Sequence, residues 1–304
     1  KKIFKNDKVD YTMSAITGFQ GLKPTLNIIK FTNVIAIANK ESIICGWNLI
    51  KKSLTKYKTK FIPVDSEHFS IWSLINGNKY KNFEKIYLTA SGGPFRKYSK
   101  NQFKNITPEK ALKHPNWSMG KKISIDSATM MNKVFEVIEA KKIFDLKYDQ
   151  LQILIHPKSY LHAIVKFNNG LIKLLLHDTD MTIPIFNSLY QIGNKTIKSK
   201  KLDLIVLNKL ELKYVDPKKF PVIRVIKKLQ DKDSLFETVI ISANDTLVNM
   251  FLKNKINFTD ISKILLKIIN RPEFKKYKKL IPKNPQQIAN LADYVSLKIK
   301  AMSV

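Results

Sequence analysis

A chain of 304 residues, 44% of them apolar, is long enough to bury more than one hydrophobic core, and no apolar run in it is long enough to cross a bilayer as a helix. Its single cysteine, Cys45, set in Ile43-Ile44-Cys45-Gly46-Trp47, excludes an intramolecular disulfide and a Cys-rich zinc module and reads as a buried small hydrophobe. The formal charge of +30 invites a nucleic-acid partner, but Arg occurs only at Arg96, Arg224 and Arg271, and base readout and bidentate phosphate contacts favour Arg, so the Lys excess reads as a solvated surface able to steer an anionic substrate.

The N-terminus, Lys1-Lys2-Ile3-Phe4, has no Met and no signal-peptide pattern and reads as the start of a fragment or processed chain. Val34 to Ala38 is a buried strand by its apolar run, followed by Asn39-Lys40-Glu41-Ser42 and a helical stretch from about Ile43 to Leu54. Phe61 to Val64 is a second strand and Ile86 to Leu88 a third, ending in Ser91-Gly92-Gly93-Pro94. This rhythm predicts an α/β unit with a largely parallel sheet, its polar clusters placed just past strand ends, where open α/β sheets bind ligands. From Gln152 the pattern changes. Gln152 to Ile155, Ala163 to Phe167 and Leu171 to Leu176 read as strands, with Asn168-Asn169-Gly170 as a hairpin turn, so part of this sheet is antiparallel. Ile192 to Lys201 is polar and Lys-rich and reads as a loop. Asn244 to Lys253, Thr259 to Asn270 and Pro285 to Met302 carry apolar residues at helical spacing, with Thr259 and Pro285 as helix starts, and predict a C-terminal helical domain.

Four clusters can carry chemistry. Asp65 and Glu67, in Pro63-Val64-Asp65-Ser66-Glu67-His68, can converge on a hard cation, although such acids are more often helix caps or surface groups. In Ile125 to Glu136, Asp126 or Ser127 can cap a helix on which Asn132, Lys133 and Glu136 share a face. An amide, an ammonium and a carboxylate together suit a phosphorylated, metal-chelating ligand, and an ordinary Lys–Glu helix pair gives the same pattern. His114-Pro115-Asn116-Trp117-Ser118-Met119-Gly120 has the character of a loop that covers a site, or of one whose Trp and Met pack inwards. Thr89 to Arg96 can present backbone N–H groups to an anion, or form no more than a tight turn. His156, His162 and His177 lack the His-x-x-x-His spacing of a helical zinc site and read as structural or supporting residues.

In this order, these blocks closely resemble 1-deoxy-D-xylulose 5-phosphate reductoisomerases: Ala38 to Ser42, Pro63 to His68, Ser91 to Arg96 and His114 to Glu136. The resemblance continues through Ile155-His156-Pro157-Lys158-Ser159, Asp180-Met181 and Ser242-Ala243-Asn244. It implies NADPH- and Mg²⁺- or Mn²⁺-dependent isomerisation and reduction of 1-deoxy-D-xylulose 5-phosphate to 2-C-methyl-D-erythritol 4-phosphate, an early step of non-mevalonate isoprenoid synthesis. It also implies a homodimer and binding of phosphonate–hydroxamate inhibitors. The Lys, Asn and Ile bias, from A/T-rich codons, is similar to that of apicomplexan plastid enzymes and implies an apicoplast location.

The implied roles are specific. Asp65, Glu67 and Glu136 hold the metal. Lys40 and Ser66 contact the substrate backbone, and Ser91, Ser127, Asn132 and Lys133 with His114 hold its phosphate. Trp117 and Met119 lie on the closing lid, and Asn39, Glu41, Gly120 and Met181 meet NADPH. The implied architecture has the remainder of a Rossmann-like NADPH domain at 1–60 and a catalytic α/β domain with a mixed sheet at 61–200. A connecting segment at 201–240 leads to the helical domain at 241–304. The Gly-rich pyrophosphate loop of the family is missing, and Gly18-Phe19-Gln20-Gly21 lacks its fingerprint. The chain is therefore expected to begin inside the cofactor domain and to reduce poorly by itself. A basic nucleic-acid binder, or another NADP-dependent oxidoreductase acting on a polyol phosphate, are the alternatives.

Overall fold

Alternating apolar runs and helical patterns in the first part of the chain become a βαβαβ unit. A computed structural model describes residues 8–77, 82–117, 119–191 and 195–302. It begins with β1 (Val9–Ser14), α1 (Leu22–Ile29), β2 (Thr32–Ile37), α2 (Lys40–Tyr57) and β3 (Lys60–Pro63). The three strands pair in parallel in the order β1-β2-β3. Then come α3 (Ser66–Ile75), β4 (Phe83–Ala90), α4 (Pro108–Ala111), α5 (Lys121–Thr129) and α6 (Met131–Ile143). After them follow β5 (Leu151–Ile155), β6 (Leu161–Phe167), β7 (Ile172–Leu176), α7 (Thr182–Leu189), α8 (Leu204–Asn208) and β8 (Lys213–Tyr214). The second sheet runs β7-β6-β4-β5-β8; β4 and β5 are parallel and the other pairs antiparallel, which is the mixed sheet expected. Gly170, with φ 86°, turns the β6–β7 hairpin.

The chain closes with α9 (Phe236–Leu252), α10 (Phe258–Ile269), α11 (Pro272–Lys275) and α12 (Pro285–Ala301). α9 is buried on nearly every side, packed by α10, α12, α2 and α5. α6 is likewise enclosed between β4–β5 and the helices, with Val134, Val137, Ile138 and Ala140 fully buried. Each such aliphatic side chain stabilises the fold by roughly 1.5–3 kcal/mol. A helix buried all round must pair its polar groups, and α6 carries Lys133, Glu136, Glu139 and Lys142 in the interior. Cys45 is buried in the same core, as expected, and burial pushes its thiol pKa far up.

Two local expectations are corrected. Asp126 and Ser127 do not cap the helix that holds Glu136. They sit inside α5, whose N-cap is Gly120, and the chain breaks at Met130 (φ 71°, ψ 9°) before restarting as α6. A left-handed non-glycine costs about 1–2 kcal/mol. The burial of Met130, Met131, Ala128 and Ile125 around the break outweighs it. Thr259 is not the start of α10 either: Asn257 caps it, with Asp260 accepting from the Asn257 amide at 3.0 Å. Of the expected loop from Ile192 to Lys201, residues 192–194 lie outside the described residues and the rest has no helix or strand.

The topology places the site. The segments that leave β1, β2, β3 and β4 all reach one cavity, at Ala15, Ala38, Asp65 and Ser91. Two sheets thus aim their carboxyl ends at the same space, and α6 lines it from the side.

Candidate active site

Asp65, two residues past the end of β3, is the N-cap of α3: its Oδ1 accepts from the backbone N–H of Glu67 at 3.2 Å, and its Oδ2 meets the Lys40 ammonium. Lys40 is the first residue of α2, so two helix starts bring opposite charges together. Glu67 lies in the first turn of α3, where the helix dipole favours an anion, and Ser66 donates to its Oε2 at 2.6 Å. Across the cavity, Asn132 and Lys133 stand one turn before Glu136 on α6 and contact its two oxygens, each at 2.5 Å. Lys133 also reaches Glu67 at 2.9 Å. Carboxylate oxygens of Asp65, Glu67 and Glu136 thereby lie within 4.8 Å of one another.

The electrostatics of the three acids differ. Burial, reinforced by the charge of Glu67, pushes Glu136 well above the usual carboxylate range. Burial is the largest influence on Asp65 and Glu67 and raises both, but Lys40, His68 and Lys133 together outweigh it at Asp65, as Lys133, His162 and the Ser66 hydrogen bond do at Glu67, and both finish below their ordinary values. Lys40 and Lys133 are themselves held upward, because the surrounding carboxylates outweigh their burial. A cluster of acids that needs ammonium groups or protons to coexist is the donor set a hard divalent cation takes.

An anion-binding end adjoins the carboxylates. Ser91 follows β4, and Gly92 and Gly93 take φ of 81° and 67°. A Cβ on Gly93 would lie 2.9 Å from the Ser127 carbonyl, so only glycine lets the turn approach α5 this closely. His114 joins this turn to the lid. Its Nδ1 accepts from the backbone N–H groups of Asn116 and Trp117 at 3.2 and 3.0 Å, which leaves the proton on Nε2, 3.2 Å from Ser91 Oγ. Burial, with Lys133 adding to it, lowers the His114 pKa to about 4. Asn116 donates to Pro157 O and Ser159 Oγ, both at 2.9 Å, so the lid base is tied to the β5–β6 connection.

The cavity holds about 410 Å³, and all ten residues expected to contact substrate line it: Lys40, Ser66, Ser91, His114, Trp117, Met119, Ser127, Asn132, Lys133 and Glu136. Met13, Ala15, Ala38, Ile185 and Met181 give it an apolar end. Of the residues expected at the cofactor, Met181 alone reaches this space. Asn39 is 3% exposed and is spent on capping α2 and on the Gly18 carbonyl at 2.9 Å, Glu41 pairs with Lys122 at 3.3 Å, and Gly120 caps α5. His162 and His177 stack at 3.6 Å beside Trp117, and His156 meets Glu211 O at 3.1 Å; neither arrangement collects metal ligands.

Three residues at the site escape the sequence patterns. Ser159 lines the cavity within the Ile155–Ser159 block, and its φ of 54° gives no signal in sequence. His68 is buried, with Nε2 2.8 Å from Glu136 O and Nδ1 3.4 Å from Asp65. Glu139, a turn beyond Glu136, is 1% exposed and reaches Lys40 at 3.2 Å. The spacing of Glu139 from Glu136 was the available signal, but a Lys- and Glu-rich helix makes it generic.

Comparison with known proteins is consistent along the chain. Family models match at residues 1–46 (1-deoxy-D-xylulose 5-phosphate reductoisomerase), 61–144 (its C-terminal domain) and 176–302 (DXP reductoisomerase C-terminal domain). The 1-deoxy-D-xylulose 5-phosphate reductoisomerase of Pelagibacter ubique is 69% identical over 304 residues, covering 100% of this chain and 78% of the relative. That of Clostridium novyi is 41% identical over 91% of this chain and 72% of its own length. Among solved structures, a DOX-P reductoisomerase in complex with NADPH, fosmidomycin and magnesium superposes with a TM-score of 0.87 at 34% identity, covering 97% of this chain and 76% of that one. The Zymomonas mobilis enzyme in complex with NADPH gives 0.85 at 33%, covering 97% and 75%.

Proposed function

The chain belongs to the 1-deoxy-D-xylulose 5-phosphate reductoisomerase family, and from that premise we propose that the 410 Å³ cavity carries the family's reaction. The enzyme converts 1-deoxy-D-xylulose 5-phosphate to 2-C-methyl-D-erythritol 4-phosphate by isomerisation and NADPH-dependent reduction, with a divalent cation. The observation that carries the assignment of the site is the convergence of Asp65, Glu67 and Glu136 beside Lys133, Asn132 and His114.

Asp65, Glu67 and Glu136 would hold Mg²⁺ or Mn²⁺: they are hard oxygen donors, mutually close, and balanced only by lysines. When bound, the ion supplies Lewis-acid polarisation of the substrate's ketone and hydroxyl oxygens. Lys40 and Ser66 orient the oxygenated carbon backbone whose skeleton is rearranged. Ser91, Ser127, Asn132 and Lys133, with the Nε2–H of His114, hold the phosphate. Trp117 and Met119 close over the cavity and keep water from the reacting carbons. NADPH supplies hydride, and the apolar end formed by Met13, Ala15, Ala38 and Met181 suits a flat nicotinamide ring. Asn39, Glu41 and Gly120, which lie outside the cavity wall, contact NADPH where it extends beyond this space. Phosphonate–hydroxamate inhibitors take the place of substrate.

The assay is NADPH consumption with 1-deoxy-D-xylulose 5-phosphate and Mg²⁺. Metal-dependent turnover that Glu136→Gln abolishes is expected; a fully active Glu136→Gln protein overturns the ligand assignment. An apicoplast location has only the Lys, Asn and Ile bias behind it, and the 69% identical relative is bacterial. A homodimer is supported by the apolar edge strand β7, whose Ile172 and Leu174 are 56% and 43% exposed. Sedimentation equilibrium tests it.

A further inference from the structure

One buried carboxylate at the site has no role in the reading above. Glu139 is 1% exposed, does not line the cavity and does not belong to the three converging acids. Its Oε2 lies 3.2 Å from the Lys40 ammonium and 3.9 Å from His68 Nδ1. Lys40 therefore stands among three acids: Asp65 and, at 3.9 Å, Glu136 on the cavity side, both of them in the metal set, and Glu139 behind it, outside that set. A cation bound through Asp65 Oδ2, the oxygen Lys40 occupies, displaces the ammonium from it, and an ammonium left buried without a partner is costly. Glu139 is the partner already in place.

The charges agree with this. In the metal-bound state, Asp65, Glu67, Glu136 and Glu139 as carboxylates against Lys40 and Lys133 leave a surplus of two negative charges, which one divalent cation cancels. Without Glu139, metal entry would leave the pocket with one excess positive charge, and Lys40 would compete with the ion for Asp65.

We propose that Glu139 is a positioning residue that takes over the Lys40 ammonium from Asp65 as the divalent cation binds, keeping Lys40 charged and aimed at the substrate. The proposal rests on Asp65, Glu67 and Glu136 being the metal ligands.

Mn²⁺ titration of the apo protein, followed by electron paramagnetic resonance, tests it without turnover. Glu139→Gln weakens Mn²⁺ binding by about tenfold, the scale of losing a group that orients a metal site. The same change made in a Lys40→Met background costs less than about twofold, because no ammonium remains to compete for Asp65. Equal weakening in both backgrounds would mark Glu139 as a ligand or a long-range charge and overturn the proposal, as would Glu139→Gln binding Mn²⁺ like the wild type. If Glu139→Gln does not fold by near-UV circular dichroism, Glu139→Asp replaces it, with a loss of a few-fold that Lys40→Met again removes. Glu136→Gln is the control for the underlying reading: if it retains full Mn²⁺ affinity, the ligand assignment fails, whatever Glu139 does.

Discussion

Helix α6 buries two lysines to the same extent and gives them opposite tasks. Lys133 and Lys142 are each 6% exposed, each pairs with two carboxylates, and each is held above the ordinary lysine pKa by them in spite of burial. Lys133, between Glu67 and Glu136, faces the 410 Å³ cavity, and a third acid, Asp65, crowds the same space. Lys142 sits between the half-buried Asp233 and the buried Glu237, with Ser234 donating to Glu237 at 2.5 Å, where none of the described cavities reaches. Buried charge is therefore not the mark of a functional site in this protein. The mark is a surplus of one sign beside open space, and the Lys142 cluster reads as a strut between α6 and α9.

The largest effect should come from breaking the surplus. Glu136→Gln is expected to lower kcat/KM by roughly a thousandfold, as loss of several kcal/mol of Lewis-acid stabilisation implies. The fold should be unharmed, because the change removes a charge that burial already disfavours. A melting temperature that falls together with activity would make Glu136 a strut like Glu237.

The two lysines give the direct test. Lys142→Met should cost about 3 kcal/mol in urea unfolding, the penalty for stranding the buried Glu237, and leave kcat unchanged in the folded protein. Lys133→Met strands Glu67 and Glu136 in the same way, but saturating Mg²⁺ should restore most of its stability, since a ligand that binds only the native state stabilises it. Mg²⁺ should not rescue Lys142→Met. Equal rescue of both variants would erase the distinction drawn between them.

The same contrast explains what was legible in the sequence. The strands and the face shared by Asn132, Lys133 and Glu136 follow from local periodicity, so both were readable. The break at Met130 was not, because it is imposed by packing around two methionines rather than by Gly or Pro. That is why Asp126 looked like a cap and is instead a buried acceptor for Asn244 of α9 at 2.7 Å. Glu139 and Lys142 were invisible for a related reason: their partners, Lys40 and Asp233, lie far along the chain, and nothing near them in sequence separates a strut from a site. The hydrogen bond from the Asn39 amide to the Gly18 turn was likewise not legible, because it is a contact set by tertiary approach.

The smallest effect probes the lid end of the cavity through pH. His114 is held at about 4 in the native state, below its ordinary 6.5, by burial and Lys133. Between those values the unfolded chain binds a proton that the native protein refuses, so the contribution of His114 to stability rises with pH from about 4 to 6.5 and is flat above. Acidification through this window should destabilise the wild type relative to His114→Asn by about 1 kcal/mol, after discounting for partial exposure. Glu67 and Asp65, whose pKa values are depressed, lose their own contributions only below their ordinary values of 4.5 and 3.8, at and beneath the acid end of the window, so the informative quantity is the difference between the two proteins. Protonation also removes the Nδ1 acceptor that holds the Asn116 and Trp117 backbone, and substrate KM should rise as stability falls. Parallel pH–stability curves for the two proteins would mean that His114 is not neutral in the native state, and that the lid is held by something other than its ring.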